Sequence, residues 1–195
     1  MIVALVLATR NAHKVEELRR ILGPDLDGID LLAYEGPEPV ENGGTFEANA
    51  LIKARAAAAY SGQAAIADDS GIVVDALGGA PGIHSARYAG TRDDADNVAL
   101  LLSNLGAESN RAALFVCAAA LVLPNGAEFV QRGEWHGTIL ERPSGGGGFG
   151  YDPIFAPDGL GVSAAELTAE HKNAISHRAL AFRALMPIVR SELRR

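Results

Sequence analysis

Several things are scarce in this chain of 195 residues, and each scarcity excludes something. A single cysteine, Cys117, rules out an internal disulfide. It lies inside the apolar run Ala112–Leu123, where a buried, reduced thiol is expected. No apolar stretch approaches the ~20 residues that a membrane span needs. No basic residue precedes Ile2–Ala8, as a signal peptide requires, so a cytoplasmic protein without a membrane partner is expected. The five histidines contain no H-x-x-x-H pair, so a zinc site is not expected. Acidic side chains outnumber basic ones, giving a formal net charge of −7. A nucleic-acid partner is therefore not expected, because that affinity normally comes from a basic surface. A small polyanion remains possible, since it needs only a local cationic pocket and usually a metal ion.

What is present reads as one domain over residues 1–195, of α/β or α+β class. Ile2–Ala8 predicts a strand buried on both faces. After the polar Thr9–His13, the spacing of Val15, Leu18, Ile21 and Leu22 predicts a helix that stops at Gly23-Pro24. Thr45 is the expected N-cap of an alanine-rich helix running to about Tyr60. Gln63–Ala67 predicts a short strand ending in an Asp68-Asp69-Ser70-Gly71 turn, with a further extended piece over Ile72–Ala76. Asn97, Leu101, Leu102 and Leu105 predict a helix ending at Gly106. Ala112–Leu123 and Ala127–Trp135, joined by Pro124-Asn125-Gly126, form the strongest hairpin signal. A Gly/Pro-rich loop follows over 142–158. A long helix from about Ala169, bent or ended at Pro187, closes the chain.

Lysine is the most telling scarcity. Of 17 basic residues, only Lys14, Lys53 and Lys172 are lysines, and each lies in or beside a polar cluster. A compact ammonium suits phosphate, although solvated surface lysines are the alternative. Thr9, Asn11 and Lys14 sit where a strand enters a helix N-terminus, a natural anion site but equally a plain helix cap. Lys53 lies one turn after Asn49 on the same helical face. Taken alone, Asp68-Asp69-Ser70-Gly71 reads equally as a solvated turn or as a site for Mg²⁺ and a general base. Glu41 is a candidate second metal ligand. Phe149-Gly150-Tyr151-Asp152-Pro153 places two aromatics and a carboxylate in a glycine-rich loop, which suits base stacking or a turn tucked into the core.

Together, in order along almost the whole chain, these motifs resemble the inosine triphosphate pyrophosphatase (HAM1-like) family. The resemblance rests on Ala8-Thr9-Arg10-Asn11-Ala12-His13-Lys14, Gly44–Arg55, Ala67–Gly71, Gly79–Tyr88, Gly148–Pro153 and Ile175-Ser176-His177-Arg178. It implies Mg²⁺-dependent hydrolysis of ITP, dITP and XTP to the monophosphate and pyrophosphate by a homodimer. The implied fold is an elongated, two-lobed mixed α/β structure with a long central sheet and an active-site cleft between the lobes. Thr9, Arg10, Asn11, Ala12, His13 and Lys14, with Lys53 and Lys172, would hold the triphosphate. Asp69 would be general base and metal ligand, joined by Glu41, and Ser70 would touch substrate. Phe149, Gly150, Tyr151, Asp152, His177 and Arg178 would line the base pocket. Arg10 stands where the family commonly has glycine, Val40 where an acidic residue is frequent, and His171 where glutamate is usual.

Overall fold

The expected N-terminal strand is present as β1 (Val3–Leu7) in a computed structural model that describes residues 2–194. The side chains of Ala12 and Pro24 also lie outside the described residues, so Ala12 is placed only by its backbone. β1 pairs in parallel with β2 (Ile29–Ala33) and with β3 (Ala64–Val74), Leu5 facing Leu31 on one side and Ala64 on the other. Its Leu5, Val6 and Leu7 are all buried, which is why the run shows no polar alternation. β4 (Ala112–Val122) and β5 (Glu128–Ile139) are joined by the expected turn, in which Gly126 N–H donates to the Leu123 carbonyl at 2.9 Å. β6 (Phe155–Pro157) pairs antiparallel with β5. The six strands follow the order β2-β1-β3-β4-β5-β6, a mixed sheet in a mixed α/β fold.

The chain divides into two compact units. The first comprises residues up to Asp69, Cys117–Gly133 and the chain from His177 onward. It contains α1 (Ala12–Leu22), α2 (Phe46–Ser61) and α5 (His177–Leu193). Leu18, Ile21 and Leu22 of α1 and Phe182, Leu185, Met186 and Val189 of α5 bury themselves with Leu5, Ile66, Cys117 and Leu121. Each such side chain contributes about 1.5–3 kcal/mol of burial free energy. The Thr45 side chain caps α2 by accepting from Ala48 N–H at 3.1 Å. The buried residues Asn49, Ala50, Ala54, Ala57 and Ala58 give α2 a face of short side chains.

The second unit, Ser70–Val116 with Glu134–Ser176, holds α3 (Asp94–Leu105) and α4 (Ala169–Ile175). Its core joins Ile72, Val98, Leu101 and Ile154 to the rings of Phe115, Trp135 and Phe155. Phe155 lies with its centroid 4.7 Å from Phe115 and 5.4 Å from Trp135, the edge and tilted geometries that aromatic quadrupoles favour.

Three local expectations are corrected. Asp68-Asp69-Ser70-Gly71 is not a turn: β3 runs unbroken through it from Ala64 to Val74. The C-terminal helix breaks at Ser176, whose ψ of 159° is extended, and not at Pro187, which lies inside α5. Both Pro187 and Arg183, whose carbonyl the proline releases, lie on the exposed side of α5, where water can satisfy that carbonyl. Finally, β2 and β6 are strands that the sequence pattern does not announce.

Gly133 on β5 sits against the start of α5. A Cβ there would come within 2.2 Å of the His177 carbonyl oxygen and 2.6 Å of Ala181 N, both backbone atoms that cannot step aside. Gly133→Ala is therefore expected to destabilise the protein by about 1–3 kcal/mol, read as a fall in the urea midpoint. A midpoint unchanged from wild type would show that this close approach is not needed.

Candidate active site

Along a strand, successive side chains point to opposite faces. β3 therefore sends Asp68 and Asp69 in opposite directions, and the adjacent pair serves two separate networks within the first unit.

Asp69 faces α2. Its Oδ2 accepts from Asn49 Nδ2 at 3.1 Å and its Oδ1 from Lys53 Nζ at 3.3 Å. Asn49 and Lys53 are four residues apart on one helical face, as their spacing predicts. The Asn49 side-chain Oδ1 also accepts from Gly43 N–H at 2.9 Å, tying the preceding loop to the helix. From that loop, Glu41 Oε2 meets the same Lys53 ammonium at 3.0 Å. Burial, with repulsion from Glu41, pushes the Asp69 carboxyl above its ordinary value although Lys53, Lys14 and the Asn49 hydrogen bond pull it down. Burial opposes the charge on Lys53, but Asp69, Asp68 and Glu41 together outweigh it and hold the ammonium firmly protonated. The result is a carboxylate with raised proton affinity, fixed by two donors beside a second carboxylate.

Glu41 and Asp69 converge on one cationic centre, since the Lys53 nitrogen lies 3.0 and 3.3 Å from their oxygens. Two hard oxygen donors suit Mg²⁺, which takes one or two protein carboxylates and fills its shell with water and phosphate oxygens. Among the described residues no cluster of three or more His, Cys, Asp or Glu is arranged to hold a metal. The residues therefore fit a sparsely ligated magnesium and not a closed structural metal site.

Asp68 faces the α1/α5 side. Its Oδ2 accepts from Lys14 Nζ at 3.0 Å and from Arg178 Nε and Nη2 at 3.3 Å each, with the Cys117 thiol 3.9 Å away. Arg178 Nη1 also donates to Glu17. Burial works against the Asp68 charge, yet Lys14, Arg178 and Lys53 outweigh it and hold the carboxyl far below the usual range. The Cys117 thiol is pushed up by burial and by Asp68, so it stays protonated and unreactive. Sequence reasoning passes over Glu17. Its signal is position: it lies four residues before Ile21 and three after Lys14, on the inward face of α1, where a carboxylate needs a partner.

The first loop is a helix cap in this structure. Asn11 is the N-cap of α1, its Oδ1 accepting from Lys14 N–H at 3.1 Å, and Thr9 Oγ1 accepts from Asn11 N–H at 3.3 Å. Arg10 donates to the Gly36 carbonyl, and the His13 side chain is exposed. The helix N-terminus with Lys14 in its first turn keeps the character of an anion site.

In the second unit, Asp152 is buried, and its Oδ2 accepts from Phe149 N–H at 2.8 Å and from Lys172 Nζ at 2.6 Å. The Lys172 ammonium lies 4.9 Å from the Phe149 ring centroid, a cation–π contact. Tyr151 is buried and donates its hydroxyl to the Ser85 carbonyl at 2.8 Å. Gly150 N–H donates to Asp94 at 2.6 Å. Gly148 is required here: its φ is +71° and a Cβ would fall 2.1 Å from Asp152 Oδ2. Lys172 thus belongs with the aromatic loop, in the other unit from Lys14 and Lys53. Ser70 is half-buried on β3 directly after Asp69. His177, buried, is the first residue of α5, whereas the single helix expected from about Ala169 would put it mid-helix.

The family model for the Ham1 family matches residues 5–188. The chain belongs to the Ham1 family. Among its relatives, the dITP/XTP pyrophosphatase of Leifsonia xyli is 56% identical over 192 residues, covering 97% of this chain and 96% of that protein. The structure of a HAM1 protein from Coxiella burnetii aligns with a TM-score of 0.89 at 40% identity, over 97% of this chain and 100% of the other. A nucleoside-triphosphatase / dITP/XTP pyrophosphatase from Mycobacterium abscessus aligns at 0.77 with 47% identity, over 95% and 99% respectively. The Ham1 fold thus accounts for nearly the whole chain, including the strand that carries Asp68 and Asp69.

Proposed function

We propose that this chain hydrolyses the non-canonical purine nucleoside triphosphates ITP, dITP and XTP to the monophosphate and pyrophosphate, as the single domain that the sequence predicts. The observation that carries the reading is Asp69: a carboxylate with raised proton affinity, fixed by Asn49 and Lys53. The names of its Ham1 relatives, dITP/XTP pyrophosphatases, support the substrate class.

Asp69 orients a water and takes its proton, a role that favours a carboxyl shifted toward neutrality. Glu41 and Asp69 would hold Mg²⁺, which when bound polarises phosphate oxygens and offsets the charge gathering on the leaving pyrophosphate. Lys53 and Lys14 bind phosphate oxygens, and the positive end of the α1 dipole, reached through the loop from Thr9 to His13, adds to them. Ser70 contacts substrate, and Lys172 joins it from beside Phe149. The base is held by Phe149, Gly150, Tyr151 and Asp152 together with His177 and Arg178. A donor aimed at the 6-oxo group accepts hypoxanthine and xanthine, whereas the 6-amino group of adenine leaves it unpaired, a penalty large enough for strong discrimination. The resemblance further supports a homodimer.

The test is a panel of ITP, XTP, dTTP, ATP and GTP, each with and without Mg²⁺. Turnover of ITP and XTP at least tenfold above the others, abolished by a chelator and restored by Mg²⁺, is expected, on the scale of one unpaired buried donor. Inert ITP and XTP would sink this reading.

A further inference from the structure

We propose that Asp68 is a positioning residue for this reaction: its Oδ2, itself anchored by the buried Arg178, holds Lys14 in the place from which it engages the nucleotide. This inference rests on the proposed function for the role of Lys14, and it assigns a task to the member of the acidic pair that the reaction itself does not use.

Asp68 cannot be a catalytic group. Its side chain is 0% exposed and that of Arg178 1%, whereas the side chain of Lys14 beside them is 14% exposed, so of the three the lysine keeps a route to a phosphate. β3 also turns Asp68 to the face opposite Asp69. What Asp68 does is visible in where the donors end. Lys14 Nζ at 3.0 Å and two guanidinium nitrogens of Arg178 at 3.3 Å all converge on a single oxygen. The other oxygen, Oδ1, is buried with no hydrogen-bond partner. Two cations held this close to one atom repel each other unless that atom is an anion. Lys14 comes from the first turn of α1 and Arg178 is the second residue of α5, so the carboxylate on β3 is the common point of three elements. Fixing two long, flexible side chains before substrate arrives removes an entropy cost that binding would otherwise carry.

Asp68→Asn is the discriminating variant. The amide can leave its oxygen in the Oδ2 position and its NH₂ where no partner stands, so the shape and one acceptor survive while the charge is lost. Without that charge Lys14 and Arg178 separate. The expected result, with wild-type enzyme cleaving ITP normally, is a rise of about tenfold in KM for ITP, the scale of one lost charge-assisted hydrogen bond. A merely structural role would reduce the amount of active enzyme, lowering kcat while KM stayed at its wild-type value. That outcome overturns the proposal, as does a variant indistinguishable from wild type. Should Asp68→Asn alone fail to fold, the double variant Lys14→Gln/Asp68→Asn, which removes one charge of each sign, is compared with Lys14→Gln. Equal KM values for ITP are expected for the two, because Asp68 acts through Lys14, and a KM about tenfold higher in the double variant overturns the proposal. Inactivity of the wild type toward ITP is a different failure, that of the function itself.

Discussion

Asp69→Asn is expected to lower kcat for ITP by about a thousandfold, within the range that loss of a positioned general base produces. The amide keeps the Asn49 contact and the volume of the side chain but can accept no proton from water. It also removes one of the two oxygens that converge on the Lys53 site. Collapse of the fold is not the cause foreseen, because burial already disfavours the Asp69 charge and raises its carboxyl above the ordinary value. A neutral isostere relieves that cost while Glu41 still pairs with Lys53, so the variant should remain folded. Binding of ITP, measured by calorimetry, should weaken far less than turnover. Residual turnover within tenfold of wild type would remove Asp69 as the base.

Arg178→Met should destabilise the protein by about 3–5 kcal/mol, the usual cost of removing one partner from a buried ion network. The guanidinium is 1% exposed and sits between Asp68, also 1% exposed, and Glu17 at 8%, so neither carboxylate can turn to water. The loss should depend on pH with a defined sign. In the native protein burial opposes ionisation of Asp68, but Lys14, Arg178 and Lys53 outweigh it and depress the carboxyl. A depressed carboxyl contributes stability that is fully present above its unfolded value, about 3.9, and is lost as pH falls through the folded value. The gap between wild type and variant should therefore be widest near neutrality and narrow below about pH 4, where Asp68 begins to protonate in the unfolded chain. Urea titrations at pH 7 and pH 3.5 measure it. A gap below about 1 kcal/mol at pH 7, the size of an exposed pair, would show that the network does not hold the unit together.

Much of this was legible in the residues themselves. β1 and the β4–β5 hairpin announce themselves by unbroken apolar runs and by Pro124-Asn125-Gly126, and α2 by its Thr45 cap. Asn49 and Lys53 share a face because four residues is about one turn. Other features depend on tertiary partners. A strand through Asp68-Asp69-Ser70-Gly71 looks implausible locally, because two carboxylates side by side favour a solvated turn; it forms because Lys53 and Asn49 neutralise one face while Lys14 and Arg178 neutralise the other. β2, with only five residues and no strict alternation, and β6, with three, are too short to carry a period. The helix break at Ser176 has no glycine or proline to mark it, whereas Pro187, which looks like a stop, is tolerated on an exposed face. The division of labour between Asp68 and Asp69 follows from strand geometry, and it became readable only once the segment was known to be a strand.

The most direct measurement is the identity of the products formed from ITP with Mg²⁺, followed by phosphorus-31 NMR. Inosine monophosphate and pyrophosphate in equal amounts, with no orthophosphate, is the expected outcome. Orthophosphate accompanied by the diphosphate would place the cut at the terminal phosphate and refute a pyrophosphatase built around Asp69.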